Sequence, residues 1–282
     1  LLGGVNYLTG QVLPMRAIAR CVAELNAGLT VPAPPASAAA PPQGERPILL
    51  GYDLAHAVGN VPVSLHEWGV DFGAWCSYKY LNGGAGAIGG IFVHERHAAD
   101  VDEYPRLAGW WGVPHAPGPR FEMRHAFEPA DGAPGFACSN ANPLAVACLL
   151  ESLRTFERAG GIRATREKSV KLTAYLDSLL RAEASKQIAD GWGVRIVTPN
   201  RADERGAQLS LRVLAPAGAV APPGSMRELE RILQERGVVC DAREPDIVRV
   251  ALVPLYNSFR DAAVFANELG RALQQMGRPN GA

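Results

Sequence analysis

The chain has 282 residues, of which 48% are hydrophobic and 20% charged, and its formal net charge is zero. This composition is typical of a globular protein with one large domain or two. A neutral chain without a basic block argues against nucleic acid or an anionic membrane surface as a partner. No apolar run approaches the ~20 residues that a membrane span needs, and no signal peptide is recognisable, so we expect a cytoplasmic protein.

The first half of the chain predicts strands that alternate with short helices. Four apolar runs predict strands, at residues 1–7, 48–53, 70–77 and 87–94, the first two of them buried. Helical spacing of apolar residues predicts a helix over 14–27, and a short helix is expected around 56–59. This alternation predicts an α/β sheet with parallel members. Residues 27–46 are rich in Pro, Ala and Ser, which predicts a disordered loop inserted between a helix and a strand.

The second half predicts a different organisation. Helices are expected at 142–158, 161–184, 226–237 and 258–275, the third closed by Gly237 and the last capped by Ser258. Strands are expected at 193–199, 208–214 and 247–254. We therefore predict a large domain over residues 1–185 and a smaller α+β domain over residues 186–282.

Two patterns with a possible chemical meaning have simpler explanations. Gly84, Gly86 and Gly89 match the spacing of a dinucleotide-binding loop, but an apolar β-branched run follows them where such a loop opens a helix. The five cysteines lie far apart without a CxxC pair, which favours small buried residues in a reducing compartment over disulfides or a metal site.

One pair of residues suggests a specific chemistry. Asp53 ends the second predicted strand and Lys79 follows the third, and residues beyond the carboxyl ends of strands face the ligand crevice in an open α/β sheet. A lysine amine condenses with an aldehyde cofactor, and a carboxylate keeps a pyridine nitrogen protonated. From these two residues alone, a buried ion pair, or a snorkelling lysine with an unrelated strand-end Asp, explains the pattern better.

The surrounding sequence changes that balance. The segments DLAHAVGN (53–60), YKYLNGG (78–84), GWWG (109–112), SN (139–140) and VPLYNSF (253–259) occur in this order. Together they resemble pyridoxal-phosphate enzymes with the aspartate-aminotransferase-type fold, and within them the kynureninases. The resemblance implies the type I fold of pyridoxal-phosphate-dependent transferases, with a partial large domain, a mainly parallel sheet and a smaller C-terminal α+β domain.

The resemblance also implies roles for residues near the cofactor, pyridoxal 5′-phosphate. Lys79 would bind its aldehyde as a Schiff base, and Tyr78 would bind its phosphate and help in proton transfer. Asp53 would partner the pyridine nitrogen, and His56 would lie beside the ring. Taken alone, His56 reads as an ordinary strand-end histidine.

Three further positions match the family in the same way. Trp110 and Asn140 would approach the phosphate and substrate side across a homodimer interface. Arg249 would hold the substrate α-carboxylate, to which a guanidinium fork is geometrically suited. Taken alone, Trp110 reads as core packing and Asn140 as a loop cap.

The implied reaction is hydrolysis of the Cβ–Cγ bond of L-kynurenine or 3-hydroxy-L-kynurenine. The products would be L-alanine and anthranilate or 3-hydroxyanthranilate, in tryptophan catabolism and de novo NAD biosynthesis. Tyr78 is the candidate for protonating the departing carbon.

The chain departs from the family in one respect, and two alternative functions also remain open. The resemblance implies a substantial N-terminal region that is not found in this sequence, and that region is expected to supply the aromatic on the ring, phosphate contacts, an acid and a histidine. Gly3 stands where relatives tend to carry a hydroxyl residue. An inactive fragment serving as a structural or dimerising domain is the first alternative. The second is a cysteine desulfurase, which needs a reactive cysteine on a mobile loop.

Overall fold

The computed structural model describes residues 1–29, 47–98, 106–114, 125–187 and 191–277, with the backbone alone for 183–187. The predicted insertion at 27–46 therefore lies almost entirely outside the described residues. The strands are β1 (Leu2–Gly3), β2 (Gly51–Asp53), β3 (Phe72–Cys76), β4 (Gly89–Val93), β5 (Gly193–Ile196), β6 (Gln208–Leu214), β7 (Asp241–Arg243) and β8 (Ile247–Ala251). The α-helices are α1 (Met15–Ala27), α2 (Leu65–Trp68), α3 (Pro143–Arg158), α4 (Gly161–Gln187), α5 (Ser225–Glu235) and α6 (Phe259–Met276).

The chain divides into two compact units that interleave along the sequence. The first unit comprises Leu1–Gly4, Pro14–Ala55 and Val63–Glu151, and the second comprises Val5–Leu13, His56–Pro62 and Ser152–Ala282. The predicted domain boundary between residues 185 and 186 lies in the last turn of α4, and it stays a prediction.

The sheet of the first unit has the order β1-β2-β3-β4. β1 pairs with β2 and β2 with β3 in parallel, while β4 is antiparallel to β3. This confirms a mainly parallel sheet. The prediction that residues 1–7 form a buried strand is wrong: β1 has two residues, lies at the sheet edge and leaves Leu2 41% exposed. The apolar run looked buried, but an edge strand has a neighbour on one side only.

The side chain of Asp71 stabilises one end of this sheet through hydrogen bonds. Its side chain is buried, and Oδ2 accepts a 2.7 Å hydrogen bond from the backbone N–H of Leu50. Oδ1 accepts from Arg96 Nε at 2.9 Å and lies 2.6 Å from His97 Nε2. Burial of Asp71 opposes ionisation, but these hydrogen bonds and the Arg96 charge hold the pKa of its carboxyl below the usual range.

The second unit contains an antiparallel sheet of order β5-β6-β8-β7. Side chains of α4, α5 and α6 pack with β6 and β8 into its core, including the fully buried Leu176, Leu211 and Leu233. Ser258 caps α6 as predicted, in a reciprocal arrangement with Asp261. This confirms the smaller α+β arrangement.

The predicted short helix around 56–59 is instead a run of turns. Ala57 accepts backbone hydrogen bonds from Asn60 and Val61. Asn60 is buried: its Nδ2 donates to the His56 carbonyl at 2.9 Å and its Oδ1 accepts from the Ala207 N–H at 2.8 Å. The second of these bonds links the turns to Ala207, the residue before β6.

Candidate active site

Asp53 is the last residue of β2, where the parallel strands end. Gly51 and Tyr52 before it are buried, whereas the Asp53 side chain is exposed and lies opposite Ala74 of β3. Its Oδ1 accepts a 2.9 Å hydrogen bond from the N–H of Ala55, as in a local Asx turn. The turn fixes the carboxylate at the carboxyl end of the sheet, as the sequence predicts.

The segment after β3 forms a tight turn around Lys79. Ser77 is fully buried and its hydroxyl donates to the carbonyl of Ile88, while its own carbonyl accepts from Gly83 at 2.8 Å. The carbonyl of Lys79 accepts from the N–H of Asn82 at 3.0 Å. Tyr80, the next residue, is buried, and these hydrogen bonds present Lys79 from a fixed backbone.

Glycine is required in this turn for two reasons. A Cβ at Gly83 would lie 3.0 Å from the Ser77 carbonyl, which is tighter than ordinary contact. Gly84 and Gly86 have φ of 86° and 74°, in the left-handed region that side chains rarely adopt. The glycines then lead directly into β4, so they do not open a helix.

Tyr78 and Lys79 are neighbours in space as well as in sequence. The Lys79 Nζ lies 5.8 Å from the centre of the Tyr78 ring. A hydrogen bond with the Cys76 thiol, together with the charge of its thiolate form, raises the pKa of Tyr78 above its usual value. The phenol therefore stays protonated at neutral pH, which suits a proton donor.

Arg249 lies on β8, opposite Asp241 of β7. Its Nε donates to Asp241 Oδ2 at 2.8 Å, Nη2 donates to the same oxygen, and Nη1 donates to the Tyr7 carbonyl at 2.8 Å. The side chain is 13% exposed and firmly held. The sequence did not identify Asp241, and only the alternation of residues 241–243 hinted at a strand there.

The structure says less about three other residues predicted to belong to the site, His56, Trp110 and Asn140. His56 belongs to the second unit, where it is half-buried. Trp110 is 61% exposed and packs edge-on against Trp111 at 5.8 Å between ring centres. Asn140 is exposed. The structure thus brings Asp53, Tyr78 and Lys79 to the ends of adjacent strands, while the roles of all the predicted site residues stay predictions.

All five cysteines are free thiols, but the prediction that they are buried is wrong, because Cys21, Cys138 and Cys148 are exposed. Cys240 is half-buried, and this burial raises its pKa to about 12. Within the described ranges, no group of three or more His, Cys, Asp or Glu is arranged to hold a metal ion. In the same part of the chain, every helix is too short or too polar to cross a membrane.

Solved structures define the class of fold. Apo cysteine desulfurase from Thermococcus onnurineus has a TM-score of 0.69 at 15% identity and is matched over 97% of this chain and 60% of its own. The cystine C-S lyase C-DES with glycine covalently linked to its PLP cofactor also has a TM-score of 0.69, at 18% identity, over 95% of this chain and 59% of its own. The chain therefore has the type I fold of these pyridoxal-phosphate-dependent proteins.

Sequence relatives are more specific. Residues 165–269 match the family model of the kynureninase C-terminal domain. Kynureninase of Koribacter versatilis is 45% identical over 265 residues, which are 94% of this chain and 53% of that protein. Kynureninase 2 of Neurospora crassa is 42% identical over 284 residues, covering 97% of this chain and 53% of the relative. The chain is thus kynureninase-like over almost all of its own residues, and it spans about half the length of these relatives.

Proposed function

We propose that this chain carries the catalytic lysine of a pyridoxal-phosphate-dependent kynureninase. The observation that carries the proposal is the 45% identity to a kynureninase over 94% of the chain, because this stretch includes Asp53 and Lys79. The substrate would be L-kynurenine or its 3-hydroxy form, and the products L-alanine and the matching anthranilate. The enzyme would serve tryptophan catabolism and NAD biosynthesis in the cytoplasm.

The residues present fit the proposed cofactor. Lys79 is half-buried in a fixed turn, so its amine is available to an aldehyde. Asp53 uses Oδ1 for its local turn, which leaves Oδ2 to accept a hydrogen bond from a pyridinium N–H. The Tyr78 hydroxyl is a protonated donor for a phosphate oxygen. A carboxylate, an amine and a phenol at adjacent strand ends match the three functional groups of pyridoxal phosphate.

Each residue then has a defined task. The bound cofactor would supply an electron sink that labilises the bonds of the substrate α-carbon and, through it, the β-carbon. Lys79 would hold the cofactor and move a proton at the substrate α-carbon. Asp53 would keep the ring nitrogen protonated, and Tyr78 would deliver a proton to the departing β-carbon. Water would add to the γ-carbonyl before the Cβ–Cγ bond breaks. The bonding electron pair would then go to the β-carbon, which takes the proton from Tyr78, and the aromatic product would leave as a carboxylate.

Arg249 would bind the substrate α-carboxylate. Its guanidinium is held in one orientation, and a planar fork binds a carboxylate with two parallel hydrogen bonds. His56, Trp110 and Asn140 would contribute to the cofactor and substrate environment as the resemblance implies.

We also propose that the enzyme is a homodimer. Val146, Leu150 and Leu153 form an exposed apolar stripe at i, i+4 and i+7 on α3, and each side chain is at least 40% exposed. A second copy that covers this stripe would remove apolar surface from water. In sedimentation, Leu150→Glu should shift a dimer towards monomer, whereas Val239→Glu, at an isolated exposed position, should not. A wild-type monomer would contradict the proposal.

The proposed reaction is tested with the protein expressed from its complete reading frame. With pyridoxal phosphate added, it should release fluorescent anthranilate from L-kynurenine and an equal amount of L-alanine. The cysteine desulfurase alternative predicts sulfide release from cysteine instead. Binding of pyridoxal phosphate without either reaction would favour an inactive protein that acts only as a structural or dimerising domain.

A further inference from the structure

Asp241 holds the guanidinium of Arg249 along one edge. The two residues face each other across the antiparallel pair β7 and β8. Arg249 donates to the same oxygen, Asp241 Oδ2, from Nε at 2.8 Å and also from Nη2. From the other terminal nitrogen, Nη1, it donates at 2.8 Å to the backbone carbonyl of Tyr7.

These contacts use some of the N–H groups of Arg249 and leave others for a ligand. A guanidinium has five N–H bonds: one on Nε and two on each terminal nitrogen. Three of the five are donated to Asp241 and Tyr7. Within the described part of the chain, one N–H on Nη1 and one on Nη2 of Arg249 remain, and this pair is the number that a bidentate carboxylate needs.

The charge balance keeps the cluster attractive to an anion. The second carboxylate oxygen of Asp241, Oδ1, lies 3.1 Å from Nη1 of Arg243. Counted over Arg249, Asp241 and Arg243 alone, two guanidinium groups and one carboxylate leave a net charge of +1. Asp241 can therefore orient Arg249 without cancelling its attraction for a carboxylate ligand, because Arg243 offsets the negative charge.

We propose that Asp241 is a positioning residue for substrate binding: it presents the two remaining N–H bonds of Arg249 to the α-carboxylate. This proposal rests on the proposed function, in which Arg249 binds that carboxylate. Without Asp241, only the Tyr7 carbonyl would hold the guanidinium. The fork would then lose its fixed direction, and the rotamer freedom of a long side chain would oppose binding.

The kinetic test uses the protein expressed from its complete reading frame and loaded with cofactor. Asp241→Asn should raise KM for L-kynurenine about tenfold and change kcat less than about threefold, because a ground-state contact is weakened. Asp241→Glu should recover part of the loss. The matched control is Asp203→Asn, which removes an exposed aspartate paired with Arg201 in the same unit.

An equilibrium measurement separates positioning from a general structural role. The amino acid homophenylalanine has the α-carboxylate but no γ-carbonyl to hydrolyse, and 3-phenylpropylamine lacks the carboxylate. By calorimetry, Asp241→Asn should weaken homophenylalanine about tenfold and the amine less than about twofold. The melting temperature of each variant shows whether the fold is retained.

The possible outcomes are distinct. If the wild-type protein does not hydrolyse kynurenine, the proposed function fails and this inference falls with it. If the wild type is active but Asp241→Asn behaves like Asp203→Asn, only this inference is overturned. Equal weakening of both calorimetric ligands, or tighter binding of homophenylalanine, also overturns it.

Discussion

Asp53 accepts a 2.9 Å hydrogen bond from the backbone N–H of Ala55 through Oδ1. Among the described residues, Oδ2 of Asp53 has no hydrogen-bond partner. The local turn therefore fixes the plane of the carboxylate and leaves one oxygen for a ligand at the carboxyl end of β2. Because only Oδ1 takes part in the turn, the charge of Asp53 can be removed without removing the turn.

Asp53→Asn should retain the cofactor but lose activity. The amide oxygen can still accept from Ala55, so the backbone is kept, but an amide cannot hold a proton on a pyridine nitrogen. We expect kcat to fall by at least about 100-fold. Glu67→Gln, at an exposed position of α2 in the same unit, is the control. Near-wild-type turnover of Asp53→Asn, measured by anthranilate release, would refute the role of Asp53.

Tyr78 and Cys76 are linked in a way that pH can test. The thiol raises the pKa of Tyr78, so the phenol loses its proton only above its usual value of ~10. Removal of the thiol in Cys76→Ala should lower the pKa of Tyr78, and the alkaline decline of kcat should move to lower pH. Tyr78→Phe should reduce kcat about 100-fold, within the range for a general acid. If the alkaline limb is the same in wild type and Cys76→Ala, Tyr78 is not the group that donates the proton.

Asp71 is predicted to stabilise the first unit in a pH-dependent way. Its folded-state pKa is below the unfolded value, so its contribution is present above about pH 4 and is lost as pH falls through the folded pKa. Asp71→Asn should lower the free energy of unfolding at pH 7 by about 2 kcal/mol, because Arg96 loses its buried carboxylate. In urea titrations, the gap between wild type and variant should narrow below about pH 4. A gap that is constant with pH would show that ionisation of Asp71 contributes nothing.

The sequence predicted the elements that carry strong local patterns. β6 was expected over 208–214 and occupies Gln208–Leu214, and the cap at Ser258 was identified from its type and place. Asp53 and Lys79 were located correctly at strand ends, because apolar runs identify the strands that precede them. Local pattern was sufficient in these cases.

The remaining features depend on contacts between distant residues. β7 is a three-residue strand, Asp241–Arg243, with charges at both ends, and it forms because β8 supplies its hydrogen bonds. The ion pair between Asp241 and Arg249 follows from the register of these strands, which no local pattern encodes. The same applies to the exposure of Leu2, because an apolar run does not reveal that its strand lies at a sheet edge.

The central claim is that Lys79 binds the cofactor covalently. The protein from its complete reading frame is incubated with pyridoxal phosphate, reduced with borohydride, digested and examined by mass spectrometry. The account predicts one modified peptide, containing the sequence CSYKYLNGG, with the added mass on Lys79, and no such label in Lys79→Ala. Label on Lys168 or Lys171, or label that persists in Lys79→Ala, would contradict it.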